Sequence, residues 1–218
     1  MRKMRTGTNN TVSPTLTCEY FSEPKLLFAE GYQHIDPKIG ILSAGPKSFE
    51  PRKQHPDAIR VGIIGTAETI DSARKWLERG MQGIDGTVDH PRFPGFMPDR
   101  GFRSKLIFDP AWESQISQRE IDSVLNVRGQ RDRFEILLNV LNDKIRILSE
   151  KDRQPEYLIV AIPDDLYKAC RTVDYHDKVL GSVHRDLRRA IKVIAMRYRI
   201  PTQILRQVTS EDRTGDIV

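Results

Sequence analysis

The stretch E156-Y-L-I-V-A-I-P-D-D-L-Y-K-A-C170 decides how the chain is read. Leu158 to Ile162 is a continuous apolar run rich in branched side chains, too short for a helix core of its own, and Pro163 stops it. That is the pattern of a strand buried on both faces. Asp164 and Asp165 then open a short helix, where acids are favoured by the helix dipole. On the N-terminal side, Arg133 to Leu148 places Phe134, Leu137, Leu138, Leu141, Ile145 and Leu148 on one helical face. Helix, buried strand and helix in this order predict an α/β domain with a parallel sheet.

Upstream, I59-R-V-G-I-I-G65 reads as a second buried strand, and a helix is expected from Thr69, as N-cap, to Arg79, with Gly80 ending it. L26-L-F-A-E-G31 and I39-G-I-L-S-A-G45 read as two further strands, and Lys105 to Asp109 as another. The Gly- and Pro-rich segment from Gly83 to Phe102 reads as a structured loop. Residues 1–22 are polar and are expected to form a loose tail: M1-R-K-M-R5 resembles the start of a signal peptide, but no apolar stretch follows it.

The chain has 218 residues, 38% hydrophobic and 30% charged, with 35 basic against 30 acidic side chains and a pI near 9.2. Such a composition predicts a globular protein, and no apolar run approaches the roughly 20 residues that span a bilayer. Cys18 and Cys170 stand far apart with no second pair near them, which disfavours a disulfide framework or a zinc site and suits the cytoplasm.

The charge is local. From Val183 to Arg199 there are six Arg or Lys residues and one acid, Asp186, a net +5 that equals the excess of the whole chain. On a helix, Val183, Leu187, Ala190, Ile191, Ile194 and Tyr198 share one side, and Arg185, Arg188, Arg189, Lys192 and Arg199 the other. A stripe of this kind fits either a solvated surface helix or an anion-binding face. In a parallel α/β unit the carboxyl end of a strand and the N-terminus of the next helix make a crevice suited to a phosphate. Arg188 and Lys192 are four apart and project together, and Gln203 adds a neutral hydrogen-bonding group.

Other motifs are near misses. G40-I-L-S-A-G-P-K-S48 approaches the phosphate loop GxxxxGK[ST], but Pro46 removes a backbone donor and displaces Lys47. Gly62 and Gly65 in GIIGT suit packing better than a dinucleotide fingerprint. Asp164, Asp165 and Lys168 lie within five residues at a helix start, and the five histidines are scattered, so no catalytic set emerges.

The succession of helix, LIVAIP, RRAIK and PTQ resembles the MID domain of Argonaute proteins, and EPKLLFAEG, HIDPKIGILSAGP, HPRFPGF, LNDKI and IPDDLYKACR are similar to short prokaryotic Argonautes, from about Glu23 to Val208. The resemblance implies a Rossmann-like MID domain with a parallel sheet at 111–218, preceded by a mixed α/β N-terminal lobe at 23–110. It implies that the chain is not an enzyme and binds the 5′-phosphate of a guide, with RNA the expected guide, in defence against invading DNA. The family grips that phosphate with a residue four before a Lys, that Lys, and a Gln further on. These positions fall on Arg188, Lys192 and Gln203, with Arg185, Arg189, Arg199 and Thr202 as additional nucleic-acid contacts. A second lysine and an RNase H-like PIWI domain would follow Val218, so a fragment or a split gene product is expected. No cofactor is expected in this chain, with Mg²⁺ at the guide end in the complete protein. The implied partners are guide RNA, target DNA, the PIWI portion and an APAZ-domain effector carrying a TIR, sirtuin-like or nuclease domain. The alternatives are a nonspecific nucleic-acid-binding module and a phosphate-loop nucleotide enzyme.

Overall fold

The computed structural model describes residues 18–50, 55–207 and 209; most of the expected 1–22 tail lies outside them. Strands β1 (Leu26–Leu27) and β2 (Gln33–His34) pair antiparallel and lead into helix α1 (Pro37–Ala44). The expected strands at Leu26 to Gly31 and Ile39 to Gly45 are thus corrected. The first is two residues followed by a 3₁₀ turn, and the second is helical. The cause is Asp36-Pro37: the Asp36 carboxylate accepts from Ile39 N–H at 2.9 Å, and proline fits the first helical turn. At Gly40, within this helix, a Cβ would run into the Phe28 ring, so only glycine fits there. Gly40 to Ala44 lie inside this helix instead of forming a loop between a strand and a helix, so the phosphate-loop geometry is not formed, and Lys47 pairs with Glu50.

Strand β3 (Ala58–Gly65) leads to α2 (Ala67–Met81). Thr66, not Thr69, is the N-cap; Thr69 sits at the third helical position, and the two close a reciprocal capping box. Gly80 lies inside the helix rather than ending it. There follow β4 (Lys105–Ile107), β5 (Glu113–Gln115), α3 (Gln118–Leu125), α4 (Gln130–Ser149) and β6 (Tyr157–Ile162). The chain continues through α5 (Asp164–Cys170), β7 (Thr172–Asp177), β8 (Gly181–Asp186), α6 (Leu187–Arg197) and β9 (Thr202–Arg206).

The central sheet is parallel, in the order β4-β3-β6-β9, with β5 beside the carboxyl half of β3. This is a Rossmann-like α/β arrangement. The expected boundary between 110 and 111 falls between β4 and β5, two strands that share β3 as neighbour. Alternate residues of the buried strands feed two layers. Leu158, Val160, Ile162 and Ile204 meet α4 and α6, while Val61, Ile63, Ile159 and Leu205 meet α2. The glycines of GIIGT serve that packing: a Cβ at Gly62 would lie 2.7 Å from Leu158, and one at Gly65 would lie 2.6 Å from the Ala161 carbonyl oxygen. Among the described residues no helix is long and apolar enough to cross a membrane.

Candidate nucleic-acid interface

Helix α6 is shorter than the basic run that contains it. Val183 to Asp186 belong to β8, which pairs antiparallel with β7, so the helical stripe expected from Val183 begins only at Leu187. The Asp186 carboxylate caps the helix, accepting from Arg189 N–H at 3.1 Å, and Leu187 N–H donates to the Arg171 carbonyl at 3.0 Å. Leu187, Ile191, Ile194 and Ala195 are buried, and the Tyr198 hydroxyl donates to Asn142 Oδ1 at 3.2 Å, tying the far end to α4.

Packing that face leaves Arg188, Arg189 and Lys192 exposed. Among the described residues none of the three has an acidic partner. Arg188 and Lys192 stand one turn apart on one side of the helix. Arg185 is spent elsewhere: it pairs with Glu135, its guanidinium 4.9 Å over the Phe134 ring. Arg199 lies beyond the helix end with φ 57°, more than one turn past Lys192. Thr202 is buried, its hydroxyl donating to the Ile200 carbonyl at 3.1 Å.

Gln203 does not join Arg188 and Lys192. Its register partner on β6 is Ile159, so it faces the α2 layer, on the other side of the sheet from α6, and lines a cavity of about 380 Å³ there. Strand alternation, invisible without the register, decides this.

The expected phosphate crevice also departs from expectation. At the carboxyl ends of the strands, Thr66, Glu68, Gln115, Gln118, Asp165 and Gln207 line a cavity of about 520 Å³. Its charged walls are acids, and the basic residues of α6 are not among them. The reason is topological: β6 is followed by α5 and the β7–β8 hairpin before α6 begins. Asp164 pairs with Arg206 at 3.4 Å and Asp165 accepts from Leu166 N–H at 2.7 Å, so both serve the start of α5.

The hairpin is the element that sequence reasoning missed. Asp177 accepts from Val179 and Leu180 N–H, and Gly181 adopts φ 72°. Its alternation, Val173 and Tyr175 inward, Asp174 and His176 outward, was the available signal. His184 Nδ1 lies 2.6 Å from Asp174 Oδ1 across the strands, and Arg131 lies 4.2 Å over the Tyr175 ring. Among the described residues no three His, Cys, Asp or Glu side chains gather as a metal site.

No protein-family model and no curated protein matches the chain. Among solved structures it is similar to the crystal structure of Aa-Ago with externally bound siRNA, at 16% identity and a TM-score of 0.45, over 86% of this chain and 20% of that one. The chain therefore spans about one fifth of that protein, and a likeness at this level assigns no function.

Proposed function

We propose that the chain binds the 5′-phosphorylated end of a guide strand, RNA in the first instance, as the MID part of a short prokaryotic Argonaute. The observation that carries this reading is the pair Arg188 and Lys192, exposed one turn apart on α6 without an acidic partner among the described residues. A phosphate dianion suits them: the guanidinium offers a bidentate fork and the ammonium a compact charge. The resembled family often has a Tyr or His where Arg188 stands, so base stacking there would fall to the Arg188 guanidinium plane. Gln203 is left out of this site because it faces the other layer. The described residues contribute cations to the guide end and no donor set for Mg²⁺, which would have to come from elsewhere in a complete protein. Target DNA, a PIWI portion and an APAZ-domain effector are the partners this role calls for, in the cytoplasm, with this chain recognising rather than cutting.

The test is a titration with 5′-phosphorylated RNA. Lys192→Ala should weaken binding by about 1.5 to 3 kcal/mol, the worth of one charge-assisted contact. Arg199→Ala should weaken it far less, because one phosphate does not reach both side chains. Equal losses would favour a second reading, a nonspecific backbone binder, for which Arg197 and Arg199 extend the exposed cations to the far end of α6. Incubation with Mg²⁺ or Mn²⁺ should leave RNA and DNA intact; cleavage lost in Asp164→Ala would contradict the role.

A further inference from the structure

We infer that Ser48 is an activated nucleophile with His55 as its general base, taking the acyl group of an uncharged, activated ester, independently of the role read for α6. The Ser48 hydroxyl oxygen lies 2.8 Å from His55 Nδ1, and His55 Nε2 lies 3.0 Å from both the Phe102 carbonyl oxygen and Ser104 Oγ. These partners fix the imidazole tautomer. A carbonyl only accepts, so Nε2 carries the proton, Nδ1 keeps a lone pair, and the Ser48 O–H must donate to it. Ser104 fits the same pattern, because its own O–H donates to the Pro56 carbonyl and leaves its oxygen to accept. Nucleophile, base and orienting acceptor thus form one directed chain, the arrangement that activates a serine.

The surroundings hold the base and leave the nucleophile open. Phe102 and Ser104 meet the same nitrogen across Arg103, whose φ of 54° is a left-handed conformation that residues other than glycine rarely adopt and that gathers at functional sites. Ser104 is buried, whereas Ser48 is exposed to a reactant. The half-buried Phe49 ring meets His55 edge-on, with centroids 5.5 Å apart, and offers an apolar rest for an acyl chain. The Arg103 guanidinium, 4.8 Å over that ring and without an acidic partner among the described residues, brings to the cluster the positive charge that favours an oxyanion. In the reaction, Ser48 Oγ bonds to the acyl carbon as its proton passes to His55 Nδ1. The bond to the leaving alcohol or phenol oxygen breaks, and the proton goes with it. Water attacking the acyl-serine through the same relay restores Ser48.

The test is labelling of the full chain with a fluorophosphonate, which phosphonylates activated serines with loss of fluoride, followed by peptide mapping. An adduct should form on Ser48, while exposed serines outside the cluster, such as Ser43 and Ser123, stay unlabelled. His55→Gln should slow the reaction about a hundredfold or more, the usual worth of a general base, and unfolding in urea should do the same. p-Nitrophenyl butyrate should release about one p-nitrophenolate per chain in a burst, lost in Ser48→Ala, before any slower turnover. Where His55→Gln does not fold, the native chain against its urea-unfolded form, and against Ser48→Ala at its exposed position, still decides. No adduct on Ser48, labelling of Ser43 or Ser123 at the same rate, an unchanged rate in folded His55→Gln or in urea, or a burst retained in Ser48→Ala would each overturn the inference.

Discussion

Cys18 and Cys170 are the two thiols of the chain and sit in opposite surroundings, the first exposed and the second fully buried. Burial pushes the Cys170 thiol up to about 11, against a smaller opposing effect of Arg133. Only the thiolate is nucleophilic, so Cys170 is shielded twice, by access and by protonation. A disulfide reagent at pH 8 should therefore titrate one thiol per chain quickly and the second only on unfolding. Two fast thiols would show that the layer around Cys170 opens. The same contrast of surroundings separates the candidate site residues. The charge and spacing of Arg188 and Lys192 were legible in the sequence. That Arg185 pairs with Glu135 was not, because the partner is 50 residues away. Nor was the side of the sheet that Gln203 faces, which depends on a register set by long-range pairing.

At the scale of elements, Thr69 shows how local and distant contacts combine. Its hydroxyl oxygen accepts from Thr66 N–H at 2.9 Å, closing the start of α2, and its O–H donates to the Ala161 carbonyl on β6, also at 2.9 Å. Thr69→Val keeps the shape and removes both bonds, leaving the part-buried Thr66 N–H and the buried Ala161 carbonyl short of a partner. It should lower the unfolding free energy by about 1 to 3 kcal/mol in urea melts. An unchanged midpoint would mean that neither bond contributes. Helices with a strong apolar face, α4 above all, were legible from spacing, as were β3 and β6 from their unbroken branched runs. The failures came where a local signal outweighed an apolar run. Asp36-Pro37 turned an expected strand into α1, and alternation around Asp177 to Gly181 cut the long basic segment into a strand and a shorter helix.

Across the whole molecule, the parallel sheet was foreseeable because buried strands alternate with amphipathic helices. The place of the basic helix was less so. With α5 and a hairpin between β6 and α6, the charged side chains at the crevice of the strand ends are the acids Glu68 and Asp165, while Arg188, Arg189 and Lys192 stand on α6. The proposed role therefore requires α6 to read the end of a strand rather than lie along its backbone. The direct measurement is the affinity of the chain for one single-stranded RNA carrying either a 5′-phosphate or a 5′-hydroxyl, at fixed salt. The phosphate form should bind about tenfold or more tightly, the preference vanishing in Lys192→Ala. Equal affinity for the two ends would contradict the account and leave α6 a nonspecific cationic surface.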